Sequence, residues 1–441
     1  MTAPLARDRI SVVTAASICV ANMIGTGVFA SLGFQVAEVT SGFALLTLWV
    51  AGGVFALCGA FSYGELAAAL PRSGGELHFL TRSIHPLAGF LAGWVSLTVG
   101  FAPPIALVAI TFGEYFSRVA PGAPPLALSC TVVALVTLFH LRDLRLGSSF
   151  QNLFTGLKVA LILVFIALPL WTDERSGIDF APRAGDLGVI FSPVYGVSLL
   201  FVLYAYTGWN AATYVVGEIR DPTRNVPRAL AAATGVVMAL YVGIHWSFLV
   251  TTPISELAPG GVPEVEVGHL VAARVFGEAG GRWMSGLLCV ALVSSISAMT
   301  WAGPRVTQVL GEDYAMFRAL ARTNPAGIPV RAILLQTAFV FVMLLTSTFK
   351  SILVFVQLIL TLSSALTVLG VVVLRRRAPD LPRPYRAWGY PATPLLFLAI
   401  SVFAMGYTFY NQPWESLAGL AILLLGLPLF WLSPRAGEAA A

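Results

Sequence analysis

Two short stretches of this 441-residue chain combine residue types that could hold a small charged molecule. In Asn22-Met23-Ile24-Gly25-Thr26-Gly27-Val28-Phe29, two glycines flank a threonine in the middle of the first long apolar run. Glycine weakens a helix, and unpaired backbone in hydrocarbon costs several kcal/mol per group. A helix interrupted there is tolerable only if it is buried in protein or faces a water-filled cavity or a ligand. The interruption recurs at Tyr206-Thr207-Gly208-Trp209, in the sixth apolar run. Each break bares amide N–H groups at the positive end of one half-helix and carbonyls at the negative end of the other. Two such breaks around one mid-membrane cavity suit a zwitterion with carboxylate and ammonium about two bonds apart, as in an α-amino acid. Paired interrupted helices are also the best sequence pointer to a carrier's substrate site.

The expected contacts follow from that field. The carboxylate would sit on the N–H groups of Thr26 and Gly27, with the Thr26 hydroxyl beside it. The ammonium would sit on carbonyls of Met23, Tyr204 and Thr207. Tyr204, Tyr206 and Trp209 place aromatic mass on the second break; Tyr204 would close over the substrate from outside, and Trp209 is a second gating candidate. No Asp or Glu lies at middle depth in any apolar run, which favours substrates with neutral side chains.

Lys158 is one of only two lysines, the other being Lys350 in an outer loop. It lies about nine residues into the fifth run, or roughly 13 Å deep at 1.5 Å per residue. An intramembrane ammonium faces a cavity or a partner. Two roles stay open for it: a proton carrier whose affinity is tuned by burial, or a fixed charge that clamps helices through backbone carbonyls. Ser294, Ser295, Ser297 and Thr300 in run eight either satisfy neighbouring helices or line a site near Lys158, with Ser294 and Ser295 the candidates. Glu65 reads as a membrane-end ion pair beside an arginine-rich loop, or as an inner gate. Glu114 reads as an outer interfacial carboxylate and His245 as a packing residue. The cysteines Cys19, Cys58, Cys130 and Cys289 lie in apolar runs without metal-ligand or disulfide spacing.

These groups need spanning helices to position them. The chain is 57% hydrophobic and 11% charged, against about 25% charged in soluble proteins, which makes it an all-α integral membrane protein. Apolar runs occupy about 11–35, 42–69, 87–117, 125–141, 150–171, 190–217, 229–252, 282–309, 331–348, 351–374, 390–410 and 414–432. Twelve transmembrane helices are therefore expected, since a span needs roughly 20 residues. Proline kinks run three at Pro103-Pro104, Glu76 to Ser83 reads as a short interfacial helix, and Val262 to Gly277 as an outer helical lid. With both termini cytoplasmic in a cell membrane, Arg7, Arg9, Arg72, Arg82, Arg142, Arg145, Arg220, Arg224, Arg228, Arg305 and the cluster Arg375-Arg376-Arg377 share the inner side with Arg435. The split obeys the positive-inside rule. The net charge of +5 suits anionic inner-leaflet lipid and calls for no nucleic acid. Pairing run one with six, and five with ten, predicts a 5+5 inverted repeat with discontinuous helices 1 and 6. The core is then residues 1–388, with repeats at about 10–171 and 190–374, followed by helices 11–12 and a tail in 389–441.

At these breaks the sequence resembles the amino acid–polyamine–organocation (APC) superfamily, particularly its L-type amino acid transporter branch. The likeness rests on Ile24-Gly25-Thr26-Gly27-Val28-Phe29, Glu65-Leu66 through Pro71-Arg72-Ser73-Gly74-Gly75-Glu76, and Tyr204-Ala205-Tyr206-Thr207-Gly208-Trp209-Asn210. Glu218, Asp221-Pro222, Arg224-Asn225-Val226-Pro227, Pro304-Arg305 and Arg383-Pro384-Tyr385 extend it. The resemblance implies alternating access, an amino acid held at Met23, Gly25, Thr26, Gly27, Tyr204, Ala205 and Thr207, and a gating role for Tyr204. It also implies that Lys158 takes the place of a sodium ion, giving sodium-independent exchange or proton symport. Arg118 to Pro125 holds no cysteine, so no disulfide-linked heavy chain is expected, and Thr207 where many relatives carry glycine favours smaller substrates.

Rival readings are a polyamine or cationic amino acid carrier, disfavoured by the missing carboxylate, and a non-transporting amino acid sensor, disfavoured by short termini. An enzyme is not indicated, because no paired-histidine, nucleophile-elbow or phosphate-loop motif occurs, nor any cofactor motif. A passive channel needs a continuous lined path rather than two broken helices.

Overall fold

The first helix, α1 (Val12–Met23), starts where the Ser11 hydroxyl accepts the Thr14 N–H at 3.1 Å and stops where Ile24 leaves helical geometry. Helical backbone resumes in α2 (Gly27–Ala30) and passes through Ser31 into α3 (Leu32–Val36). The break therefore spans 24–26, where expected. The computed structural model describes residues 10–142, 147–264, 266–347 and 349–433. Arg7, Arg9, Asp143, Leu144, Arg145, Arg435 and the Lys350 side chain lie outside the described residues.

The chain continues through α4 (Gly42–Ala69), α5 (Glu76–Ser83), α6 (Pro86–Val95), α7 (Ala102–Val119), α8 (Pro125–Arg142) and α9 (Gly147–Ala167). Then come α10 (Asp186–Ile190), α11 (Pro193–Ala205), a 3-10 segment (Ala211–Glu218), α12 (Pro222–Thr251) and α13 (Ile254–Leu257). The last part holds α14 (Val267–Asp313), α15 (Arg318–Ala321), α16 (Val330–Thr346), α17 (Phe349–Arg377), α18 (Ala392–Asn411) and α19 (Pro413–Leu432). Each of the twelve apolar runs contains helix among the described residues, with runs one and six interrupted. Among the described residues ten helical stretches are long and apolar enough to cross a membrane, and α11 and α16 are shorter apolar helices.

Burial separates core from rim. In the most apolar eighteen residues of the α1–α2 stretch 72% are buried, against 17% in those of α19. The interrupted first helix is thus central and α19 peripheral. Run three bends at a π-helical turn, Ser96–Gly100, and at Phe101. Pro103 and Pro104 occupy the first turn of α7 just beyond, where the missing N–H would have had no intrahelical partner. The expected lid is helical from Val267 rather than Val262, and it bends into α14 at Gly277, whose φ is +73°. Arg118 of α7 pairs with Glu266 at its start.

At the arginine-rich end, Glu65 is buried and binds Arg375 of α17 through two hydrogen bonds, 2.8 and 2.5 Å. It also accepts the Ala387 N–H at 2.7 Å. Its partner is therefore not the adjacent loop, whose Arg72 pairs with Asp313 at 2.8 Å. Arg375 further stacks 3.7 Å over the Tyr390 ring, so one member of the expected topology anchor also holds helices together. At the same end Ile10 bridges to Ile219, with Ile10 N–H on Glu218 O at 2.8 Å, while Arg305 holds the Glu218 carboxylate at 2.8 Å.

Candidate functional site

The break in the first helix leaves the last carbonyls of α1 without intrahelical partners. Each that is satisfied is satisfied differently. Ala21 O and Ile24 O accept from Lys158 Nζ, both at 3.1 Å. Met23 O accepts the Gly25 N–H at 2.8 Å and the Tyr241 hydroxyl at 2.6 Å. On the other side of the break, among the described residues neither Thr26 N–H nor Gly27 N–H donates to a protein acceptor, and the Thr26 hydroxyl is buried without a hydrogen-bond partner. The Tyr204 hydroxyl approaches it. Bare donors and an orphaned hydroxyl meet at one buried point, where an anion would satisfy them.

Lys158 reaches this region from α9 and is 1% exposed. Its third partner is Ser295 Oγ of α14 at 2.7 Å, and that hydroxyl in turn donates to Ile24 O at 2.9 Å. With the Ser295 proton turned to Ile24, Ser295 accepts from Lys158. All three contacts then need an N–H on the lysine, the number an ammonium carries. A positive charge at the negative end of α1 is also favoured by the helix dipole. Ser294 is not part of this cluster; its hydroxyl is buried without a partner. Ser297 bonds His140 at 2.8 Å and Thr300 bonds Ile296 O.

The second break covers 206–210 between α11 and the 3-10 segment. Gly208 adopts φ +103°, and a side chain there would lie 2.8 Å from Asn22 backbone, so glycine is required twice over. The two breaks touch directly: a Cβ on Gly27 would sit 2.5 Å from Ala205 Cα. Tyr241 of α12 ties them together, its hydroxyl lying 2.6 Å from Met23 O and 3.0 Å from Ala205 O. An ammonium docking on Met23 O would displace that hydroxyl. Tyr204 O accepts the Thr207 N–H at 2.9 Å, whereas Thr207 O accepts none among the described residues. The Thr207 hydroxyl bonds Gln357 of α17 at 3.1 Å.

The aromatics divide by position. Tyr204 and Trp209 line a cavity between the breaks. Tyr206 is fully buried away from it, donating to Trp49 O at 2.9 Å and packed beside Tyr241. His245 stacks on Trp49 at 3.4 Å between ring centres and shares 2.7 Å with Tyr241 O, which agrees with a packing role. Cys19, Cys58 and Cys289 are buried free thiols, and Cys130 is half-buried and free.

The cavity lining includes Met23, Gly25, Thr26, Gly27, Tyr204, Ala205 and Thr207, so the expected substrate residues share one wall. Sequence reasoning missed the part of the lining supplied by α17, Gln357, Thr361, Ser363 and Ser364, a helix that looks apolar in any hydropathy window. It also missed Tyr241, a buried hydroxyl on α12. One expectation needs correction: a carboxylate does line this cavity. Glu76, placed at the membrane interface by the sequence reading, is 5% exposed and faces inward. Gly74 (φ +119°) and Gly75 (φ +53°) turn the chain back on itself, burying the first turn of α5.

Comparison with known proteins places this architecture. The sequence matches the amino acid permease family over residues 10–427. It is similar to the large neutral amino acids transporter small subunit 2 of Rattus norvegicus, 27% identical over 97% of this chain and 80% of that protein. It is equally similar to the b(0,+)-type amino acid transporter 1 of Homo sapiens, 27% identical over 97% and 88% of the two chains. The Asc-type amino acid transporter 1 of Mus musculus is 26% identical over 97% and 81%.

Proposed function

From the premise that this chain belongs to the amino acid permease family, in the L-type branch of the APC superfamily, we propose that it carries neutral L-α-amino acids by alternating access without sodium. The observation that supports this most is the buried set of unpaired donors, Thr26 N–H, Gly27 N–H and the Thr26 hydroxyl, inside a cavity between two interrupted helices. A carboxylate satisfies three donors there at once, while the Thr207 carbonyl offers an acceptor to the ammonium. Tyr204, beside Thr26, is the gating side chain, and Trp209 backs the second break.

Lys158 supports sodium independence. Its ammonium spans from the end of α1 to Ser295 of α14, a position where a bound cation would otherwise join those elements. The two repeats at 10–171 and 190–374, cytoplasmic termini and a plasma or inner membrane location belong to the same proposal. So does independence from a disulfide-linked heavy chain, as Arg118 to Pro125 offers no thiol. The relatives themselves are amino acid transporters, which are not enzymes.

Uptake of labelled alanine, leucine and phenylalanine into proteoliposomes tests the reading, with sodium, pH gradient and internal amino acid varied separately. Uptake without sodium, lost in Thr26→Pro, is the expected result. A strict sodium requirement, or unchanged affinity in Thr26→Pro, overturns it.

A further inference from the structure

Among the described residues Glu76 is the only charged side chain lining the cavity, and the neutral-substrate reading above gives it no task. Its carboxylate is held with care. Oε1 accepts from the Tyr63 hydroxyl of α4 at 3.0 Å, from Asn210 Nδ2 at 2.6 Å and from the Tyr214 hydroxyl at 3.3 Å, the last two in or beside the 3-10 segment after the second break. The turn that delivers it is equally specific: a Cβ on Gly75 would lie 2.4 Å from the Tyr214 ring, and Ser73 Oγ accepts the Gly217 N–H at 2.9 Å. No Lys, Arg or His nitrogen lies within 4 Å among the described residues.

The surrounding elements offer no hidden counter-charge. On α5 itself stand His78 and Arg82, and in the preceding turn Arg72 pairs with Asp313. On α4, Glu65 is taken by Arg375; on the 3-10 segment, Glu218 is taken by Arg305. Helix α6 carries no ionisable side chain, and α17 turns Ser364 and Thr367 toward Tyr63. Burial pushes the Glu76 carboxyl above the usual carboxylate range, with its own backbone N–H and then the three side-chain donors opposing that shift. Removing a lone carboxylate from water costs several kcal/mol unless it is paired or protonated.

Lys158 does not line the cavity, and its nitrogen is engaged by Ala21 O, Ile24 O and Ser295 Oγ. We infer that Glu76 is the group that binds and releases a transported proton, making this a proton–amino acid symporter. The inference deepens the transport reading and rests on it. In each cycle an O–H bond forms at Glu76 Oε2 on the loaded side and breaks on the delivery side, so one proton moves with each zwitterion. The geometry supplies the coupling. Glu76 sits on α5, packed against α6 and α17, whereas its donors come from α4 and the segment after the break. An ionised Oε1 grips those donors; a protonated carboxyl grips them less, and lets that segment move only when the proton is aboard.

The test uses full-length protein in liposomes loaded with a pH-reporting dye. Counterflow of alanine or leucine reads transport, and dye acidification per amino acid during net uptake into vesicles free of internal amino acid reads the proton. Wild type should move one proton per amino acid, and Glu76→Gln none, while still exchanging amino acid to whatever level it retains. Glu76→Asp keeps an ionisable group and should still acidify; it decides the matter if Glu76→Gln does not fold. Acidification by Glu76→Gln, or net amino acid uptake by wild type without acidification, overturns the assignment. So does lysine uptake by wild type that Glu76→Gln selectively loses, which would make Glu76 a side-chain counter-charge. A wild type that exchanges no α-amino acid sinks the transport reading instead, and this inference with it.

Discussion

Gly27→Ala is the sharpest single test of how the two breaks meet. The added methyl carbon would lie 2.5 Å from Ala205 Cα and 2.6 Å from Ala205 Cβ. Carbon atoms rest at about 3.5–4.0 Å, so α2 and α11 must part by about 1–1.5 Å. Overpacking of that kind costs typically about 1–3 kcal/mol. Ala205 is backbone at the contact and cannot swing away, and the parting also pulls Ala205 O from the Tyr241 hydroxyl it shares with Met23. If the closed arrangement of the breaks is what transport passes through, the cost falls on that state and lowers kcat/KM by roughly 5- to 150-fold. Initial-rate uptake in proteoliposomes measures it, with size-exclusion and thermal midpoints confirming that the variant folds. Gly25→Ala is the comparison, because its methyl would meet nothing nearer than 3.9 Å; it should lose less than Gly27→Ala. A folded Gly27→Ala with wild-type kcat/KM refutes the reasoning.

Three further outcomes are expected. Tyr241→Phe leaves Met23 O and Ala205 O without their shared donor, at about 1–3 kcal/mol; the thermal midpoint and the uptake rate should both fall, and an unchanged pair of values would deny the tie. Glu65→Gln removes the charge and one of the two oxygens that hold Arg375, and breaking such a buried pair costs about 3 kcal/mol; a denaturation midpoint unaffected by the change would deny that the pair holds these helices together. His78 is pushed down to about 4 by burial and by the charges of Arg72 and Arg82. The unfolded chain then binds more protons than the folded one between about pH 4 and 6.5, so wild type loses stability as pH falls through that window, by at most about 1.4 kcal/mol per unit. His78→Gln should flatten that acid limb in a melting series, and an identical slope would exclude His78 as its source.

The amino-acid sequence alone determined what depends on neighbours along the chain. Hydropathy set the membrane class and the helical runs, and Gly25-Thr26-Gly27 and Thr207-Gly208 marked both interruptions, because a helix break is a local property of backbone conformation. Lys158 stood out because a charge inside an apolar run needs no partner to be noticed. Tertiary structure alone decided what these groups bind. Lys158 meets Ala21 across 137 residues and Glu65 meets Arg375 across 310, distances over which no periodicity speaks. Glu76 shows the limit most clearly: its sequence reads as a polar turn at the surface. Two left-handed glycines and a ring pressed against Gly75 fold it inward. Whether a carboxylate faces water or a cavity depends on which helices close around it, and that is a property of packing rather than of sequence.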